Sequence, residues 1–153
     1  MDVLSIIKDE HRKVSQLLDE AANCQPGDDR LRELAGEIQT ELTTHLAVEE
    51  RLFYGQLRKR AEEQEEEVEM FEAYVEHDAA RHLLDLVTSG RKPDERFKAE
   101  LVVLGENVKH HVQEEESKVF AIAKNVMEAD ELEEIGEAWQ RAKARAAKRA
   151  ERR

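Results

Sequence analysis

An all-α fold is what this sequence predicts: an up-down-up-down four-helix bundle with an internal pseudo-twofold repeat, plus a short C-terminal helix. Three observations predict it. The 153 residues include only two prolines and six glycines, with 5% aromatics, against abundant Glu, Ala, Leu, Lys and Arg, a helix-forming mixture. Apolar residues recur at steps of three and four along four long stretches, the stripe of packed helices. Finally, parts of the chain repeat one another at a constant offset of 66 residues.

The elements follow in order. A first helix is expected over about 2–23, with Leu4, Ile7, His11, Val14 and Leu18 inward, broken by Gln25-Pro26-Gly27-Asp28. A second runs from about 29 to 61 and turns Ile38, Leu42, His45, Glu49 and Leu52 inward. The acidic run Glu62 to Glu72 holds a plausible turn, although neither glycine nor proline marks it. A third helix runs to about Val87 with Met70, Tyr74, His77 and Leu84 on its stripe, and it ends at Thr88-Ser89-Gly90-Arg91-Lys92-Pro93-Asp94. The fourth spans about 94–127, with Leu101, Leu104, Val108, His111, Glu115 and Val119 inward. A closing helix covers about 129–150. The expected organisation is a bundle over 1–127, with a basic helix or tail over 128–153 packed on the same domain.

Composition narrows the function. The net charge of −12 argues against nucleic acid as a partner, because phosphate contacts need dense positive charge. Residues 138–153 depart from it, with seven Lys/Arg against one Glu. That segment reads as a helix docking Ile135 and Trp139 on the bundle and fraying beyond; a basic membrane-surface segment is the alternative. No apolar run is long enough to span a membrane, the start lacks the pattern of a signal peptide, and the lone Cys24 suits a reducing compartment. A cytoplasmic protein, plausibly monomeric, is expected. Gly-rich phosphate loops, Cys-x-x-Cys pairs and nucleophile elbows are absent from the sequence.

The repeat carries the chemistry. His11, His45 and Glu49 recur as His77, His111 and Glu115, within the matching texts HLAVEE and HVQEEE. All six interrupt apolar stripes at positions that should be buried. A buried, unpaired imidazole or carboxylate costs several kcal/mol, so six at one level demand compensation, which metal cations provide. Residues i and i+4 lie about 40° apart on a helix, so each His-x-x-x-Glu pair can reach one inward site. Glu10 and Glu76, in the same frame, could orient neighbouring ligands; Glu50 and Glu116 read as solvated or as supports rather than ligands. Ferritin-like sites use Glu-x-x-His and more carboxylate, a pattern this chain lacks.

With those residues in view, the sequence resembles the hemerythrin-like, HHE cation-binding domain family over about 1–127. The residues that carry the resemblance are His11, His45 to Glu50, His77 and His111 to Glu116. It implies that His11, His45, Glu49, His77, His111 and Glu115 ligate two iron ions, carboxylate-bridged with an oxo or hydroxo group. The choice of iron rests on the resemblance, since the ligand types alone also admit manganese or zinc.

One departure is informative. Oxygen-carrying hemerythrins have a further histidine one turn after the position of His77, and here Arg81 stands there. His82 lies about 140° from His77 and His110 about 100° from His111, so both should point away. A coordination position is therefore open to water, peroxide or a side chain. Tyr54, beside Gly55, is a candidate ligand or supporting residue, but a regular helix puts it opposite His45, where packing is the expected role. The expected function is accordingly di-iron chemistry on hydrogen peroxide, catalase-like or otherwise, with oxygen, nitric oxide, redox or iron binding without catalysis as the alternative. A purely structural metal is the third reading.

Overall fold

The computed structural model describes residues 1–61, 63–87 and 91–152. Helix α1 (Val3–Asn23) is capped by Asp2, whose carboxylate accepts the Ser5 amide at 3.0 Å. Helix α2 (Asp29–Val48) continues without a break through a π-helical segment, π1 (Glu49–Tyr54), into α3 (Gly55–Arg60). Helix α4 spans Gln64–Val87. Helix α5 (Glu95–Glu114) likewise runs through a second π-helical segment, π2 (Glu115–Val119), into α6 (Phe120–Val126). Helix α7 (Ala129–Glu151) closes the chain behind a capping box formed by Glu128 and Glu131.

The bundle is the one expected. Antiparallel pairs α1/α2 and α4/α5 pack together, α1 lies against α5, and α2 against α4. The chain turns at Gly27, whose φ of +92° suits glycine, and the Gly27 amide bonds to the Pro93 carbonyl, so the α1–α2 and α4–α5 connections are tied at one end. Two expectations need refinement. The acidic run is mostly the start of α4, where Glu65, Glu66 and Glu67 oppose the positive end of the helix dipole. The second and fourth rods are not uniformly α-helical, because each changes pitch at its inward glutamate. The expected break at Thr88-Ser89-Gly90 lies outside the described residues, as do Glu62 and the last tail residue, Arg153.

Two apolar clusters fill the interior. One includes Val14, Leu18, Leu31, Leu34, Ile38, Leu42, Leu84, Phe97 and Leu104; the other includes Ile7, Phe53, Leu57, Met70, Phe120, Ala123 and Trp139. Between them sits a polar layer of His11, His45, Glu49, His77, His111 and Glu115, all buried.

Helix α7 is docked along its first half and continues as helix to Glu151, where sequence suggested fraying. Trp139 is fully buried and Ile135 packs beside it. Gly136 lets the backbones meet: a Cβ there would run into the Met1 carbonyl and come within 3.1 Å of the Val3 nitrogen. Substituting Gly136→Ala should therefore loosen α7, costing about 1–3 kcal/mol as other overpacked contacts do. Thermal unfolding should shift down and Trp139 emission to the red; unchanged values for both would contradict this seating.

Candidate metal centre

Helical periodicity brings His45 and Glu49 to one face of the α2 rod, and His111 and Glu115 to one face of the α5 rod. His11 of α1 and His77 of α4 complete the layer. Each glutamate lies between two imidazoles. Glu49 is 3.4 Å from His45 Nε2 and 3.0 Å from His77 Nε2; Glu115 is 3.3 Å from His111 Nε2 and 3.2 Å from His11 Nε2. Each carboxylate thus reaches one histidine on its own rod and one from the other half of the repeat.

The atoms that could take a cation form two overlapping groups. His11, His45, Glu49 and Glu115 offer atoms within 4.8 Å of one another, and so do His77, His111, Glu49 and Glu115. Both glutamates belong to both groups. Whether cations suit this layer can be tested on the atoms themselves. Both oxygens of Glu49, Oε1 of Glu115 and the Nε2 atoms of His11 and His45 are buried without a hydrogen-bond partner of adequate geometry, despite the close approaches. Buried polar atoms are rarely left so, and a set of five in one layer fits cations held between them.

The outer nitrogens of the histidines are all engaged. His11 Nδ1 donates to Glu116 (3.0 Å), His45 Nδ1 to Glu10 (2.9 Å), His77 Nδ1 to Glu50 (2.8 Å) and His111 Nδ1 to Glu76 (3.3 Å). An ionised carboxylate only accepts, which fixes the proton on Nδ1 and turns Nε2 inward, the arrangement that raises the basicity of metal-binding imidazoles. The pattern obeys the repeat: Glu10 corresponds to Glu76, and Glu50 to Glu116. Sequence suggested orienting roles for the first pair and left the second between solvent and support; all four are supports.

Protons can balance part of the charge of this layer. Burial disfavours imidazolium at His45, but Glu49 and Glu10 outweigh it and push its pKa up to about 10. At His111 burial is likewise overcome, by Glu115 and Glu76, again to about 10. Burial would raise Glu49, yet His45 and His77 hold it well below the usual carboxylate range. Cation entry must therefore displace protons.

Tyr54 corrects the sequence reading. A regular helix would leave it opposite His45, but π1 absorbs one extra residue, so Tyr54 falls where the fourth residue after Glu49 would, about 40° away instead of about 140°. Its phenol is fully buried, donates to Glu115, and lies 3.3 Å from His77 Nε2 and 3.4 Å from His111 Nε2. Burial, then the charges of Glu115 and Glu49, push its pKa well above the ordinary 10. The cue available in sequence was Gly55 beside it. In the repeat, Tyr54 corresponds to Phe120, which packs edge-on against Phe53 at 6.3 Å.

Arg81 turns outward. Its guanidinium pairs with Glu50, the acceptor of His77, and with Asp78 at 3.2 Å. His110 is exposed, 3.7 Å from Glu76, and away from the inward layer. Beside the four histidines a cavity of about 20 Å³ is walled by Val14, Leu42, Leu46, Ala80, Val108 and Asn107. The buried Oδ1 of Asn107 has no partner, and sequence reasoning gave this residue no attention.

A bundle with two histidine-glutamate groups between apolar clusters defines a class of helical cation-binding proteins. The chain belongs to the hemerythrin HHE cation-binding domain family, whose model matches residues 2–123. Its fold is similar to the crystal structure of a hemerythrin HHE cation-binding domain-containing protein from Mycobacterium kansasii (TM-score 0.80, 19% identity), covering 97% of this chain and 89% of that one. The chain is also 27% identical over 145 residues to a protein named DNA nickase from Nostoc sp. (strain PCC 7120), matching 95% of this chain. It spans only 40% of that protein's length.

Two outcomes are expected from this geometry. Loading with ferrous iron should raise thermal stability, by about 2.7 kcal/mol at a free concentration a hundred times Kd, and chelation should reverse it. Glu50→Ala, which frees His77 Nδ1, should weaken metal binding about 10–100-fold in a competition titration, with the helical spectrum retained. Metal affinity unaltered by Glu50→Ala would show that His77 needs no such support.

Proposed function

We propose that this is a non-haem di-iron protein that decomposes hydrogen peroxide, with His11, His45, Glu49, His77, His111 and Glu115 as the metal ligands. The observation that carries this reading is an exchange of partners at the centre. Arg81 stands where an oxygen carrier would have a further histidine and is turned onto Glu50, while the phenol of Tyr54 lies against Glu115, His77 and His111. A phenol supplies a proton and a hard oxygen at a position that a carrier would close with nitrogen.

His11, His45, His77 and His111, with Glu49 and Glu115 common to both groups, would hold the iron. When bound, iron would relay two electrons from one peroxide to a second, so that two peroxide molecules become one dioxygen and two waters. The chain's own part is positional. The outer carboxylates fix each imidazole, Tyr54 holds a proton next to Glu115, and the apolar walls exclude bulk water. The cavity beside the histidines has room for about one water-sized molecule, which favours peroxide over larger substrates. Asn107 offers that guest a carbonyl oxygen in need of a donor.

Residues 1–127 would carry the centre and 128–153 support it, in a protein of the cytoplasm. Among the described residues no helix is long and apolar enough to cross a membrane. The activity named for the Nostoc protein is not carried over, since most of that protein has no counterpart in this chain.

The test is gas evolution. Iron-loaded protein should release dioxygen from hydrogen peroxide, and His111→Ala should abolish this with its iron content. Tyr54→Phe should keep the iron but lower kcat by about 100–10,000-fold, the range for loss of a positioned proton donor. A fully iron-loaded protein that evolves no gas would refute the proposal. A reversible spectral change with oxygen or nitric oxide and no net oxidation would then favour binding or sensing, and a redox-inert metal would favour a structural role.

A further inference from the structure

The repeat makes the two halves of the centre equivalent in their inward side chains, but among the described residues α7 packs chiefly on the first, against α1, α2 and π1. Its fully buried Trp139 donates its indole N–H to Glu10 Oε2 at 2.8 Å, and Lys143 lies 3.3 Å from Glu10 Oε1. That same Oε1 accepts His45 Nδ1 at 2.9 Å. The Trp139 and His45 rings meet edge-on with centroids 5.5 Å apart. Glu10 therefore has three donors fixing its two oxygens, and His45 is held by a carboxylate that cannot turn.

The repeat mates of these residues have no such cover. Glu76 accepts His111 Nδ1 at a longer 3.3 Å, and its other neighbour is exposed His110 at 3.7 Å. Glu76 and His111 line an open cleft of about 490 Å³ that also reaches Glu115 and is flanked by exposed Val68, Phe71 and Val75. Where α7 covers Glu10 in the first half, its counterpart Glu76 borders the cleft, while the inward groups of both halves are buried. The family match ends at residue 123, so α7 lies beyond what it accounts for.

We propose that α7 makes the two metal positions unequal: Trp139 and Lys143 clamp Glu10, Glu10 orients His45, and the His11–His45 position is thereby the tighter, closed one. The His77–His111 position, beside Tyr54 and the cleft, is the one that exchanges with solvent and admits small molecules. Trp139 and Lys143 are positioning residues, acting through Glu10. This inference rests on the paired-metal reading of the centre.

The chain supplies its own reporter, since Trp139 is its single tryptophan. In an anaerobic titration with ferrous iron alone, most of the quenching of Trp139 emission should fall within the first equivalent, and calorimetry should resolve two steps. Trp139→Phe keeps a buried ring but removes the donor; it should weaken the first step about 10–100-fold and leave the second unchanged. Lys143→Met, at a partly exposed position, should weaken the same step by a smaller factor and secures the test if Trp139→Phe fails to fold. Quenching spread evenly over both equivalents, or confined to the second, would overturn the proposal. So would variants that weaken both steps alike, or that lower the melting temperature of the metal-free protein while both steps stand. Two irons bound in equal steps would sink this inference alone, whereas a protein that takes up no iron would sink the paired-metal reading with it.

Discussion

Four imidazoles and two carboxylates share one layer of this bundle, with apolar side chains above and below, and the rest of the structure answers to that burial. Stripping such groups of water costs several kcal/mol each unless charge and hydrogen bonds are restored. The outer ring of Glu10, Glu50, Glu76 and Glu116 restores the Nδ1 bonds and spends none of the inward nitrogen. What it leaves, inward Nε2 and carboxylate oxygens without aligned partners, is a demand for positive charge. Protons meet it in part, as the raised pKa values of His45 and His111 record. Cations at the same points would meet it with better geometry and more charge.

The fold and the inward histidines and glutamates were legible because both depend on periodicities that survive in one dimension. The 66-residue offset relates His11 to His77 and Glu49 to Glu115 whatever lies between, and the three-and-four spacing of Leu4, Ile7, Val14 and Leu18 fixes which way α1 faces. Tyr54 was misplaced for a related reason. The helical wheel assumes a constant 100° per residue, and one extra residue in π1 resets it for everything downstream. Nothing in the residues Glu49 to Tyr54 announces that change, apart from Gly55 just after it.

The outer contacts were harder still. Glu50 follows an inward glutamate and reads equally as solvated or as a support; it sits between His77 and Arg81, because a helix turns its next residue towards the adjoining helix. Trp139 was legible as a docking residue. That its indole N–H ends on Glu10, more than a hundred residues earlier, is tertiary information: it depends on α7 crossing α1 closely enough at Gly136 for the two backbones to touch.

The edge-on packing of Phe120 has a consequence of its own. A repeat that kept tyrosine at both 54 and 120 would carry a phenol at each end of the layer, leaving only α7 to tell one end from the other. Phenylalanine at 120 deletes one oxygen atom. With it goes the equivalence of the two sides of the layer, so a nearly symmetric frame of four imidazoles and two carboxylates acquires a polarity.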